Sequence, residues 1–241
     1  MKYIELSFFC CFWMLNGWAQ HHKVKLFIEA GAGLSNFTGK GAENSSYMVG
    51  TAPIENDYTN NPYGKKVKTS YAVGVTGQYP FSKKNNITGS LEYQSLGSKI
   101  RLDGVSYPLR PSIIHPATGS TKITTTEITL GLSYCRKTGE PESHFPFVYL
   151  GMAYSLVTKI QENGRAIDYT VTGEHVSNVD HRDENLNNLQ AQAGFMFDIS
   201  KLRLGFQYRR GITSIENVPL NDGSKFRTQS FFFKFAYCFI E

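Results

Sequence analysis

What the chain lacks sets the first limits. Beyond its first twenty residues no apolar run approaches the ~20 residues that a membrane-spanning helix requires, which excludes a helical membrane protein. Cysteine is scarce, 4 in 241 residues. Cys10 and Cys11 fall in an N-terminal apolar stretch, and Cys135 and Cys238 belong to separate elements, so no disulfide framework is expected. No Pro- or Ser-rich linker and no internal repeat divides the chain, and one domain follows. The net charge of +5 is too mild an excess to argue for nucleic acid. No His, Cys, Asp and Glu spacing matches a metal-ligand motif, and Gly31-x-Gly33 precedes no helix, so no cofactor or metal is expected.

The N-terminus reads as a signal peptide over residues 1–19. Lys2 supplies a positive start, Leu6 to Leu15 are nearly all apolar, and Gly17 and Ala19 stand at the small-residue positions of a cleavage site. The mature domain would then be residues 20–241.

What the chain does have is alternation with a period of two. In the last stretch Phe231, Phe233, Phe235, Tyr237 and Phe239 take every second place, which puts a row of aromatics on one face of a strand. Leu202, Leu204, Phe206 and Tyr208 alternate with Arg203, Gly205, Gln207 and Arg209 just before. Six further stretches alternate likewise: 23–37, 69–82, 87–100, 121–136, 145–158 and 186–200. Eight strands result. Their connections alternate long and short, with short turns at 83–86, 137–144 and about 200–201. Long polar loops are expected over 38–68, over 159–185, over 216–225 and around Pro108, Pro111 and Pro116.

This rhythm predicts an all-β protein, an eight-stranded antiparallel up-and-down transmembrane β-barrel with both termini at the short-turn side. A soluble barrel would carry its polar row outside, filled with Lys, Glu and Thr. Here that row is small, with Gly31, Gly33, Ala72, Gly74, Gly131, Gly151, Ala153, Gly194 and Gly205, which suits a crowded interior. Tyr79, Phe81, Tyr134, Tyr237 and Phe239 all fall on the apolar face near one end, as an interfacial aromatic girdle would.

The segment from Leu204 to Ile215, with its aromatic, its Gly211 and its Ile212-Thr213-Ser214-Ile215 tail, resembles the penultimate-strand pattern of PorT-like outer-membrane β-barrel proteins of Bacteroidetes. The eight-strand plan and a signal ending in Ala19-Gln20 are similar too. Ile240 and Glu241 after Phe239 depart from the aromatic ending of many such barrels. The resemblance implies an integral outer-membrane location and a role in protein secretion and gliding.

Inward-facing positions carry Lys25, Glu29, Glu92, Glu127, Asp198, Arg203, Arg209 and Lys234. Paired carboxylates can serve as acid and base, but an eight-stranded barrel is just wide enough to be filled by side chains, and buried charges persist there when paired. These eight are read as a structural charge network, with Glu29 facing Lys234 across the closing seam. His175, Asp180, His181, Asp183 and Glu184 cluster in the third loop without ligand spacing, and no catalytic residue is assigned. The expected protein is a non-enzymatic, monomeric outer-membrane barrel that binds or supports secretion through its loops. Its partners would be outer-membrane lipid and other envelope or secretion proteins. A lipid-modifying enzyme is the alternative, and a small pore ranks last.

Overall fold

The structure, a computed structural model, describes residues 24–50, 57–107, 110–139, 146–170, 173–180, 187–216 and 225–240, without the side chains of 110–112, 215 and 216. The expected signal peptide and His21 and His22 lie outside the described residues. Among the described residues twelve strands follow in chain order: β1 (Lys25–Thr38), β2 (Ser45–Val49), β3 (Tyr58–Thr59), β4 (Lys66–Pro80), β5 (Asn85–Tyr107), β6 (Arg110–Lys137), β7 (Phe147–Asp168), β8 (Gly173–Asp180), β9 (Asn187–Ile199), β10 (Leu202–Gly211), β11 (Ile215–Glu216) and β12 (Lys225–Ile240).

Eight of these close a ring: β1, β4, β5, β6, β7, β9, β10 and β12, each antiparallel to the next, with β12 returning to β1. Chain order is kept around the ring, so the barrel is up-and-down. Its wall is apolar outside, because every second residue carries a large hydrophobic side chain: Val73, Leu91, Leu130, Leu150, Phe206 and Phe233 are all exposed. Four members of the expected girdle, Phe81, Tyr134, Tyr237 and Phe239, are exposed at the turn end, and Tyr79 is half-buried there. The chain turns within two residues between β9 and β10, with Ser200 in the left-handed region at φ 56°.

The small inward residues are required by what lies opposite. A Cβ on Gly194 would stand 2.6 Å from the hydroxyl of Tyr149, whose ring fills the space over its directly paired glycine. Cys135 and Cys238 are buried and free.

The loops expected from the sequence differ from what is found. The stretch with three prolines is instead the continuation of β5 and β6, which pair as far as Tyr107 and Arg110. Pro116 is accommodated because the register slips between Leu102 and Gly104, its partner, where a missing N–H breaks no regular ladder. The 159–185 stretch holds the end of β7 and its hairpin partner β8. The 38–68 stretch contains β2 and β3, and among its described residues Ala42, Met48, Asp57, Thr59, Asn61 and Tyr63 are each at most 3% exposed.

These segments build a second storey. Above the level where β4 ends, β2 takes its place beside β5 in parallel register, from Ser45↔Arg101 to Val49↔Ser106. β8 likewise stands beside β7 above the end of its pairing with β9. β3 pairs with β2 and meets β8 through one parallel bridge, Asp57↔Ser177. The upper parts of β5, β6 and β7 with β8, β3 and β2 therefore form a six-stranded ring, the head, on top of the barrel. Met48, Leu102, Val105, Ala117 and Ala166 make its core. Between the storeys lies an apolar septum of Phe37, Ala42, Tyr63, Ile123, Ile160 and Phe226. Tyr63 stacks on Phe226 at 3.9 Å between centroids, and Phe37 stands edge-on to both.

Candidate functional site

Two polar clusters lie inside the wall, one in each storey. In the barrel, inward side chains of β1, β5, β10 and β12 meet around Glu92, which is 1% exposed. Arg209 Nη2 donates to Glu92 Oε1 at 2.5 Å, and Lys234 Nζ lies 2.9 Å from both Glu92 Oε2 and Glu29 Oε1. Two carboxylates and two cations thus balance. Lys234 is paired by register with Gly31, so it reaches Glu29 diagonally, through the space the missing side chain leaves. Nearer the turn end Arg203 makes two bonds to Asp198, at 2.6 and 3.0 Å, donates to Gln78, and lies 3.9 Å over the Phe27 ring.

Glu127 stands apart from both groups, fully buried, accepting a bond from Thr125 Oγ1 at 3.2 Å. Lys25 is half-buried at the turn end of β1. The amides and hydroxyls that complete the network were not singled out from the sequence, although they share the inward parity of the charges. Gln192 accepts from Arg209 Nε at 3.0 Å and donates to Ser133 Oγ at 2.8 Å, and Thr129 links Gln94 to Ser155. A cavity of about 50 Å³ remains among Glu29, Glu92, Arg203, Gln207 and Lys234, room for a few waters.

The head holds the second cluster, a chain of four side chains from four segments. His175 Nδ1 lies 2.7 Å from Asp57 Oδ2, its Nε2 lies 3.0 Å from the Tyr107 hydroxyl, and that hydroxyl lies 2.8 Å from Asp168 Oδ2. A carboxylate only accepts, so the phenol gives its hydrogen to Asp168 and His175 Nδ1 donates to Asp57. Burial first, then the bond to Asp168 and the charges of Asp168 and Asp57, push the Tyr107 phenol up to about 12. Beside it Glu162 accepts from Thr59 N at 2.7 Å and from the Ser177 hydroxyl. Both groups tie β3 to β8 at the bridge that closes the ring.

The family model described as "Outer membrane protein beta-barrel domain" matches residues 18–217. The chain belongs to this family. The protein is therefore an integral outer-membrane β-barrel. Among solved structures it is similar to Neisserial surface protein A, at 10% identity over 89% of this chain and 97% of that one, with a TM-score of 0.42. The attachment invasion locus protein Ail of Yersinia pestis, with the heparin analogue sucrose octasulfate, gives 13% over 89% and 99%, TM-score 0.38. OprG from Pseudomonas aeruginosa gives 14% over 91% and 98%, TM-score 0.37. No curated protein matches the chain.

In this outer-membrane barrel the two described members of the histidine cluster in the third loop part company. His175 turns inward to Asp57, 118 positions away and beyond any local pattern, while Asp180 lies 3.6 Å from Lys159 at the surface. His181, Asp183 and Glu184 lie outside the described residues. Among the described residues no group of His, Cys, Asp and Glu is placed to hold a metal ion.

Proposed function

We propose that this outer-membrane barrel works without catalysis, as a monomer exported on its first 19 residues, and that its head docks another envelope or secretion protein. The observation that carries this reading is a set of exposed apolar side chains far from the lipid belt. Ile114, Ile167, Tyr169 and Val176 are 51, 48, 64 and 44% exposed on β6, β7, the turn after β7 and β8. Lipid explains exposed apolar residues on the barrel; at the head the surrounding medium is water, and a cluster there suits a protein surface. The core beneath holds these side chains on a rigid frame, where binding loses little entropy. The PorT-like resemblance makes the protein-secretion and gliding machinery of such bacteria a concrete form of partner.

The eight inward charges belong to this reading as a structural plug. The septum above them and the small cavity among them leave a pore without support. A lipid-modifying enzyme would need a nucleophile with a base on or just above the lipid wall. His175 is buried with both ring nitrogens engaged, so it supplies no such base. The test compares a deletion strain with one carrying Ile114→Ser, Ile167→Ser and Tyr169→Ser together, by secreted proteome and by lipid A mass spectrum. The expected result is the same altered secretion in both, with lipid A unchanged. Altered lipid A with normal secretion would overturn the proposal.

A further inference from the structure

Just above the lipid belt the outer wall carries three lysines in one cross-strand row. Lys66 of β4 is paired with Lys99 of β5, and Lys99 with Lys122 of β6, all exposed. Side chains directly opposite one another in a sheet start roughly 5 Å apart, and like charges in such positions destabilise the pairing. Lys68 adds a fourth ammonium beside them. It is half-buried with Nζ 2.7 Å from Thr124 Oγ1. Its pKa is pulled down by burial first and then by the charges of Lys122 and Lys99.

No ion pair among the described residues neutralises the row. Lys66, Lys99 and Lys122 have no described carboxylate within ion-pair distance, although the exposed Glu43 lies on the same wall beside Gly64 and Lys65. Asp103 pairs with Arg101 at 2.6 Å and Glu174 with Arg165, although the charge of Asp103 also reaches Lys66. A single unpaired lysine on a surface is ordinary. Three in register on neighbouring strands are a cost with no internal return.

Their height supplies the reason. On β5 and β6 the last exposed lipid-facing apolar side chains are Tyr93 and Ile128; on β4 Tyr71, an interfacial type of residue, is followed upward by Val67, exposed between Lys66 and Lys68. Lys68 lies three residues before Tyr71, roughly 10 Å up the strand, and Thr124 and Thr126 fill the outward positions between Ile128 and Lys122. Polar hydroxyls followed by ammonium groups, immediately beyond the apolar band, coincide with the headgroup layer of the outer leaflet. Each ammonium offers three donors and binds phosphate as a point charge.

We propose that Lys66, Lys68, Lys99 and Lys122 form a binding site for the phosphate groups of an outer-leaflet glycolipid headgroup, which removes the repulsion along the row. The site lies on the wall below the head, so it stands independently of any protein docked above. The belt seats the acyl chains and the row seats the phosphates. Lipid bound there would fix the height of the barrel in the membrane.

The test uses the full-length protein in nanodiscs of phosphatidylcholine, with diphosphoryl lipid A, dephosphorylated lipid A or inorganic phosphate added and bound lipid counted by native mass spectrometry. Wild type is expected to retain diphosphoryl lipid A, and Lys66→Gln with Lys99→Gln and Lys122→Gln to bind it at least about tenfold more weakly. The same three positions changed to Arg should keep binding. In discs without anionic lipid the triple Gln variant should melt no lower than wild type, because it loses repulsion. Equal binding by wild type and the Gln variant, or equal binding of phosphorylated and dephosphorylated lipid, would overturn the site. Inorganic phosphate that competes at concentrations near those of the lipid would overturn the glycolipid in favour of a soluble anion.

Discussion

Strands β5, β6 and β7 run through both storeys, and the comparison of their lower and upper halves shows what sets side-chain polarity. Below, the outward residues are Leu91, Tyr93, Leu130 and Tyr154 and the inward ones Glu92, Gln94, Glu127 and Ser155. Above, the outward residues are Arg101, Asp103, Lys122 and Arg165 and the inward ones Leu102, Ile123, Ile160 and Ala166. One continuous wall is thus turned inside out at the septum. Lipid outside demands an apolar exterior and leaves a lumen that must satisfy its own polar groups; water outside returns the apolar residues to the interior. The lower storey is held by paired charges in its lumen, the upper by an apolar core with the Asp57, His175, Tyr107 and Asp168 chain beside it and its ion pairs outside.

The largest expected effect breaks the lower half. Glu92→Gln removes the carboxylate shared by Arg209 and Lys234 and leaves Arg209, 1% exposed, with an amide in place of its counter-ion. Loss of one partner from a buried pair costs about 3 to 5 kcal/mol. Urea unfolding from lipid vesicles measures it. A loss below about 1 kcal/mol would mean that the lumen is solvated well enough to carry an unpaired charge, and the contrast between the storeys would weaken.

Phe226→Ala comes next, at the boundary. It removes the ring stacked on Tyr63 and touching Phe37, and a truncation of this kind costs about 3 kcal/mol where the site does not collapse. The same urea midpoint reports it. If the septum is what separates the two interiors, Phe37→Ala and Phe226→Ala together should also raise ion conductance in planar bilayers above the wild-type level.

The comparison also explains which parts of the fold were legible in the sequence. The lower barrel was, because lipid on one side and a lumen on the other produce clean alternation, as in Phe231 to Phe239. The lumen charges were legible for the same reason, since Glu92 and Arg209 interrupt apolar rows at the inward parity. The head was read as loops because its outward positions are polar and its inward ones mix Thr121, Gly164 and Glu162 with Leu102 and Ile123. On β5 the inward parity stays even while the apolar places change from odd and outward (Leu91, Tyr93) to even and inward (Ile100, Leu102). On β7 the register slips as well: an extra residue opposite Thr126 and Glu127 moves the inward set from odd to even, to Ile160, Glu162 and Ala166. Periodicity read across such a slip averages to nothing. The clasp of Asp57 and His175 depends on a closure between distant segments that no local pattern announces.

The smallest effect concerns that clasp, and it asks whether the storeys are separable. The head ring is closed between β3 and β8 by a single bridge, with Asp57, His175, Tyr107 and Asp168 in series beside it. His175→Ala leaves Asp57 and Tyr107 each short of one partner, a cost of about 1 to 3 kcal/mol borne by the head alone. Limited proteolysis of protein in vesicles should then cut the 38–68 or 159–185 segments faster, while the heat-modifiable gel mobility of the barrel stays as in wild type.

The same clasp should respond to alkali. The Tyr107 phenol ionises at about 12 in the fold, above its ordinary value of about 10. A raised folded value means that its contribution is complete below about 10 and is lost as pH rises through about 12. Protection of the head should therefore fall across that window in wild type, and Tyr107→Phe should show no such step. A barrel that loosens together with the head, in either experiment, would mean that the septum couples the two storeys into one cooperative unit instead of dividing them.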